Sequence, residues 1–361
     1  MRLQRRILIG CLGVPEFGGE SAVASALHAQ LHSEGVEAYL LNLVEPSDVC
    51  YCQHMLGTFG NPHGLPDIET LHLESPILSP RPEIANAIEM RAPNLLIGVG
   101  SAAAVMLKRA APGLRTFFIS TASHHLHLKR PRRYYRKPRW PALVPDLDVE
   151  DAAVAAADLV IAHSPSAHAS LAAHFPTYEG KLADDIFWLG DWVRQDVDRY
   201  GASKRAFEER EVDVLFVARS WKEERSNREL MVQLAERCRD LRVQIVGDGG
   251  ECGIGTFWPE AASRKELLRL MGNAKVVILP GLRASAPFVF YEAAAMGCNL
   301  VTSIGCGNWQ FANADLIATP GDLDSFIEKI QLALARPLAC NLDGLAASSP
   351  YELLVEMAAV L

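Results

Sequence analysis

The sequence predicts an α/β protein made of two parallel-sheet domains, and three observations carry that expectation. Short apolar runs alternate with helix-period segments along the chain, the pattern of parallel α/β layers. Those runs are apolar at successive positions, as strands are when helices cover both faces of their sheet. A chain of 361 residues is long enough for two domains of about 150 residues each, with a sizeable core.

Taken in order, strands are expected at ILIGCL (7–12), EAYLLNL (37–43), NLLIGVG (94–100), RTFFIST (115–121) and DLVIAHS (158–164), with helical patterns at 19–34, 101–110 and 165–175. The theme repeats with strands at VDVLFVA (212–218), RVQIVGD (242–248), KVVILPG (275–281) and NLVTS (299–303). Helices are expected there at 226–239, 263–273, 287–296 and 322–335. A boundary lies between the two series. All 11 histidines stand at or before His174, and the turn-like LGDWVRQDVDRYGASK (189–204) follows. Two Rossmann-like domains, 1–190 and 191–335, are the economical account. In the tail, 336–361, PYELLVEMAAVL reads as an apolar helix that must dock, with the first domain as its candidate surface.

Composition excludes some functions. Apolar residues make up 49% and charged residues 22%, the mix of a soluble globular protein. A formal net charge of -8 supplies no broad positive surface, which argues against nucleic acid as a partner. The eight cysteines are scattered without a CxxC pair, several within apolar runs, as in a reduced cytosolic protein. MRLQRRILIGCLG starts basic and then apolar, but its apolar part is too short for a signal peptide. No run reaches the length of a bilayer span. A cytoplasmic location is expected.

Three stretches are candidates for chemistry. In GVPEFGGESAVASAL (13–27), Gly18 and Gly19 form a turn between the first strand and first helix. Glycines there let backbone N–H groups approach a phosphate at a helix N-terminus. The pattern is neither G-x-G-x-x-G nor a P-loop, and a plain strand-to-helix turn uses Gly-Gly as well. In VLFVARSWKEERSNREL (214–230), Arg219 ends a strand, and Lys222 and Arg225 follow before the next helix. Ligands bind at this edge of a parallel sheet, where Arg and Lys clamp a diphosphate through charge-assisted hydrogen bonds. The bland alternative is a solvated loop paired with Glu223 and Glu224. In LPGLRASAPFVFYEAAAMGCNL (279–300), Pro287 suits the first turn of a helix and Gly297 its end. The amides of Phe288 and Val289 make an anion site, and Glu292 lies one turn on along the same face. A buried unpaired carboxylate is costly, so Glu292 needs a partner: a structural Arg or Lys, or the two hydroxyls of a ribose.

Together these stretches resemble the GT-B glycosyltransferases, and among them retaining family 4. The resemblance spans nearly the whole chain and is strongest over 212–335. There Arg219 and a basic residue are followed by IVGDGG, ELLRLMGNAKVVILPG, FVFYEAAAMGCNLVTSIGCGN and ATPGDLDSFIEKI in the family's order. The family implies two Rossmann-like domains with parallel sheets facing a cleft. It implies sugar transfer from a nucleotide-diphosphate sugar to an acceptor, with retention and without a metal or other cofactor. Residue by residue, Glu292 matches the second acid of the family's E-x7-E motif, which holds the nucleotide ribose. Arg219 with Lys222 or Arg225 matches the basic pair at the diphosphate, although the family spacing puts the second residue at Glu224. Phe257 and Trp258 lie where the base is held. His124 matches a histidine near the donor sugar, with His125 as the fallback.

One departure bears on function. The first acid of E-x7-E, which in the family contacts the transferred sugar, is replaced here by Ala284. A rival expectation is therefore a non-catalytic GT-B partner protein that binds a nucleotide or a glycan. The first domain also carries LKRPRRYYRKPRW (128–140). Its prolines suggest an exposed loop, and charge runs are usually solvated. Lys129, Arg130, Arg132, Arg133 and Arg136 are nonetheless candidates for an anionic acceptor or for peripheral contact with lipid headgroups. The acceptor itself, whether glycan, lipid-linked, small molecule or protein, is not legible. SHHLH (123–127) imitates a metal cluster, as a metal-dependent hydrolase would need, but no acid or cysteine joins it at ligand spacing.

Overall fold

The computed structural model describes residues 6–12, 19–44, 68–72, 82–121, 146–186, 204–222, 226–258, 264–282 and 288–340. The chain divides into two compact units, with a boundary between Phe187 and Trp188.

Among the described residues the first unit holds a sheet of seven strands. They are β1 (Arg6–Leu12), β2 (Glu37–Val44), β3 (Ile68–His72), β4 (Leu95–Val99), β5 (Arg115–Ser120), β6 (Leu159–Ala162) and β7 (Leu182–Ile186). All pair in parallel, in the order β3-β2-β1-β4-β5-β6-β7. The helices are α1 (Gly19–Ser33), α2 (Pro82–Arg91), α3 (Ser101–Ala110), α4 (Asp146–Ala156) and α5 (Pro165–His174). Every residue of β4 is buried, as a central strand covered on both faces requires. Leu8, Leu41 and Leu43 pack against Ile84, Ile88 and Leu107 of α2 and α3. At Gly98 a Cβ would stand 2.3 Å from the Cα of Ala104, so the glycine lets α3 lie directly on β4. Ser164 caps α5 by accepting the N–H of Ala167 at 3.1 Å, with Pro165 at the first helical position. Asp158, just before β6, accepts the Thr116 N–H at 2.8 Å and pairs with Lys108 at 3.0 Å. Burial pushes its carboxyl up, but the Thr116 amide and Lys108 prevail and hold it below the ordinary range.

The second unit repeats the plan with six parallel strands among its described residues. These are β8 (Val212–Ser220), β9 (Val243–Asp248), β10 (Thr256–Trp258), β11 (Ala274–Ile278), β12 (Asn299–Ser303) and β13 (Ile317–Ala318). Their order is β10-β9-β8-β11-β12-β13, and the helices are α6 (Arg228–Arg237), α7 (Arg264–Gly272), α8 (Phe288–Ala295) and α9 (Leu323–Ala335). One face of the sheet, with Val214, Phe216, Ile245 and Ile278, packs on Leu230 and Leu234 of α6 and on Phe326 and Ile330 of α9. Asp322 caps α9, accepting the N–H groups of Asp324 at 3.0 Å and Ser325 at 3.1 Å. At the start of β8, Asp213 takes a two-pronged contact from Arg242 at 2.9 and 3.0 Å and one from Lys275 at 3.2 Å.

The two Rossmann-like units with parallel sheets are as the sequence implied, with more strands than it announced. β3, β7, β10 and β13 were not expected, nor were α2 and α4. β3 and β7 are the two edges of the first sheet, and β10 and β13 are the edges of the second. An edge strand pairs on one side only, so it does not need the continuous apolar run by which central strands announce themselves. The expected strand 94–100 stops at Val99, because Gly100 turns to φ 86 and caps α3 instead. The expected strand 275–281 likewise ends at Ile278. No helix among the described residues is long and apolar enough to cross a membrane.

Candidate functional site

In each sheet the strand order reverses at one point, between β1 and β4 and between β8 and β11. In open parallel sheets ligands bind beyond the carboxyl ends of the strands at such reversals.

In the second unit β8 carries Arg219 to its carboxyl end. The chain then dives inward at Trp221, which is buried. Its Nε1–H donates to the Val246 carbonyl at 3.0 Å and its N–H to the Asp248 carbonyl at 2.7 Å. That anchor sets Lys222 beside Asp248, with Nζ 2.7 Å from Oδ1 and both side chains about half exposed. The loop after β9 fits around it. Gly247 has φ 124, and a Cβ there would stand 1.9 Å from the Ala218 carbonyl oxygen, so only glycine closes this turn. Arg228, opening α6, donates to the carbonyls of Gly249 and Glu251, both at 2.7 Å. Asn227 donates from Nδ2 to the Pro280 carbonyl at 3.2 Å, tying the loop after β8 to the loop after β11.

α8 brings Glu292 inward. The carboxylate residue is only 3% exposed, within a helix whose Phe290, Tyr291 and Ala293 are also buried. The far end of this helix is fully closed. Gly297 at φ 69 ends it, with Cys298 N–H donating to the Ala293 carbonyl and Gly297 N–H to that of Ala294, both at 2.9 Å. Arg210, buried, donates to the Met296 carbonyl at 2.9 Å, and Lys204 to that of Ala295 at 3.4 Å. Two cations therefore meet the negative end of the helix dipole, while its positive end, at Phe288 and Val289, faces the carboxyl edge of the sheet. Phe288 and Val289 are each half-buried.

Phe257 and Trp258 both lie on β10, with Phe257 opposite Ile245 and Trp258 opposite Val246. Side chains alternate across a strand, and Phe257 packs into the cluster formed by α6 and α9. The rings therefore leave opposite faces of the sheet and do not form one stacking platform. The Trp258 indole N–H is buried without a hydrogen-bond acceptor among the described residues.

In the first unit Gly19 opens α1, and the next residue changes the character of that turn. Glu20, half-buried, directs its carboxylate at Gly100: a Cβ on Gly100 would stand 2.4 Å from Cδ and from both oxygens of Glu20. Thr121, just past β5, donates from its hydroxyl to Glu20 Oε1 at 3.1 Å. This negative charge in the first turn works against a phosphate at the same place. Gly18, Arg225, Ala284, Pro287, His124, His125, the SHHLH cluster and Lys129, Arg130, Arg132, Arg133 and Arg136 lie outside the described residues, as does the expected C-terminal helix. The side chain of Arg219 is outside them as well. Within the described residues no group of three or more His, Cys, Asp or Glu is arranged to hold a metal.

Sequence reasoning missed Glu20, Thr121, Asn227, Arg228 and Arg210. An acid directly after Gly-Gly was visible, but acids are common in the first turn of a helix. Its meeting with Gly100 and Thr121 is a product of the sheet. Arg228 stood beside the basic residues that were considered, and only the close return of the loop after β9 distinguishes it.

Both units thus have the fold of the GT-B proteins, and the comparisons agree. Residues 211–336 match the family described as Glycosyl transferases group 1. Among curated proteins no relative matches the sequence. Among solved structures, sucrose-phosphate synthase from Thermosynechococcus elongatus is similar, with a TM-score of 0.67 at 16% identity, covering 98% of this chain and 100% of that one. UDP-GlcNAc 2-epimerase from Neisseria meningitidis, bound to UDP-GlcNAc, has a TM-score of 0.64 at 11% identity over 99% of this chain and 100% of that one. HepE from Anabaena, in complex with UDP, has a TM-score of 0.61 at 12% identity, over 98% and 100%.

Proposed function

We propose that this protein is a glycosyltransferase that moves a sugar from a nucleoside-diphosphate sugar to an acceptor, with retention of anomeric configuration. The observation that carries the proposal is Glu292, a carboxylate held buried on α8 within the segment matching the group 1 family. On this reading Glu292 accepts the two ribose hydroxyls, and the first-turn amides at Phe288 and Val289 meet a phosphate. Arg219, with Lys222 or Arg225, stabilises the diphosphate as its charge develops on leaving. Lys222 already pairs with Asp248 at the surface, so turning to a diphosphate forgoes only a weak contact. His124 serves near the donor sugar, and no metal or cofactor takes part. UDP is the first nucleotide to test, since HepE holds UDP and the 2-epimerase holds UDP-GlcNAc.

Ala284 favours a second reading, a non-catalytic protein that binds a nucleotide or glycan. Calorimetric titration with UDP, GDP, ADP and CDP, on the native chain and on Glu292→Ala, tests both. One nucleotide bound tightly and weakened by the variant supports the donor site, and binding of none of the four rejects it. Turnover of the matching nucleotide sugar then separates transferase from binding protein, and the anomer of the product, read by NMR, tests retention. The location is proposed as cytoplasmic, with the basic segment 128–140 in contact with an anionic acceptor or a membrane surface.

A further inference from the structure

We propose, on the donor-site reading, that Arg228 is a positioning residue: it holds the loop after β9 in shape for a nucleotide before one arrives, and does not itself touch the diphosphate. The loop needs holding. Five of the nine residues from Gly247 to Gly255 are glycine, which loses more backbone freedom on ordering than any other residue. Its entry is fixed by Trp221, whose N–H donates to the Asp248 carbonyl at 2.7 Å. Its next turn is fixed by Arg228, with Nε on the Gly249 carbonyl and Nη2 on that of Glu251, both at 2.7 Å. A rigid planar fork reaches two carbonyls at once, which a lysine ammonium does not do in the same geometry.

Arg228 stands where its own helix disfavours it. It is the first residue of α6, and a cation there opposes the helix dipole. The two carbonyls turn their negative ends to the guanidinium and offset that cost. Asn227 sets the direction of approach. Its backbone is left-handed, at φ 55 and ψ 57, a conformation in which asparagine is enriched, and its Nδ2 donates to the Pro280 carbonyl at 3.2 Å. Two successive side chains thereby join the loops after β8, β9 and β11. With Nε and Nη2 committed to carbonyls, Arg228 acts through the loop, and a direct clamp on a phosphate would have to give up both contacts.

The test is hydrogen exchange over 247–255 in the ligand-free full chain, read by mass spectrometry, with calorimetric titration of UDP and uridine into the same variants. Arg228→Ala should speed exchange in this segment about tenfold, while the denaturation midpoint stays near native because the side chain is exposed. UDP and uridine should both weaken by about fivefold, with a more unfavourable binding entropy, since the ligand must now order the loop. Arg228→Lys keeps the charge without the fork and should behave like Arg228→Ala; should the alanine variant not fold, it decides by the same readings. Native exchange in the variants, a loss confined to UDP, or native UDP affinity in Arg228→Lys would overturn the proposal. A native chain that binds no nucleotide ends the donor-site reading instead, and the exchange rates still decide whether Arg228 holds the loop.

Discussion

At the reversal point of the first sheet, between β1 and β4, the carboxylate of Glu20 lies against Gly100 and accepts the Thr121 hydroxyl. At the equivalent point of the second sheet, between β8 and β11, Arg219 stands one residue before the end of β8, Lys222 follows the strand, and α8 begins at Phe288 after β11. The backbones are the same construction: parallel strands, crossover helices and glycines where loops crowd. The side chains differ: an acid is packed into the first reversal point, and a lysine paired with Asp248 stands at the second. A fold locates a crevice, and its side chains choose the ligand.

The sharpest way to break this comparison is to damage each sheet separately. Gly247→Ala places a Cβ 1.9 Å from the Ala218 carbonyl at φ 124, and Gly98→Ala places one 2.3 Å from the Ala104 backbone. Each overpacking should destabilise its unit by about 3 kcal/mol. By calorimetry, Gly247→Ala is expected to lose UDP binding, whereas Gly98→Ala keeps it. Loss of binding in both would show that the nucleotide site is not confined to the second unit. Next in size is Glu292→Ala. Hydrogen bonds to a charged group contribute about 1.5–3 kcal/mol, so UDP affinity should fall about 10- to 100-fold. A Glu292→Gln chain that unfolds instead would make Glu292 a structural partner.

Arg219→Glu should weaken UDP far more than uridine, because only UDP carries the diphosphate. Equal losses would argue against a clamp. Lys222→Ala, which removes an exposed ion pair, should change UDP affinity by no more than about 1 kcal/mol and leave stability nearly unaltered. The smallest effect is one of pH. The Arg242 contacts hold Asp213 down to about 2 against burial, with Lys275 adding to them. A carboxyl lowered in the folded state stabilises fully above its ordinary value of 3.8, and that contribution is lost as pH falls towards 2. Chemical denaturation from pH 5 to 2 should show a shallower acid decline in Asp213→Asn than in the native chain. Identical slopes would remove Asp213 from the account.

How much was legible varies along the chain for physical reasons. β1, expected at 7–12, spans Arg6–Leu12, and the helix expected at 101–110 is Ser101–Ala110. Such central elements are covered on all sides, and their periodicity is written in apolar residues. β3 reads IETLH and β7 reads LADDI, too polar to stand out. α2 did carry a helical signal, Ile84, Ala87 and Ile88 at spacings of three and four, and was passed over. Within the candidate site, the position of Glu292 on a buried helix was readable because one acid interrupts an apolar stretch. The opposite facing of Phe257 and Trp258 was not, since VGDGGECGIGTFW (246–258) contains too short a strand to show alternation.

The sequence by itself determined the α/β class, the repeat of one plan in two halves, the central strands and the helix that holds Glu292. These depend on local periodicity and on glycine or proline at element ends, which short stretches of chain encode. Tertiary structure alone decided that Glu20 meets Gly100 and Thr121, that Arg228 holds the loop after β9, and that Arg210 and Lys204 close the far end of α8. Each of those contacts joins residues far apart in the chain. Strand order brings them together, and strand order follows from which apolar faces can be buried at once, a property no single segment carries.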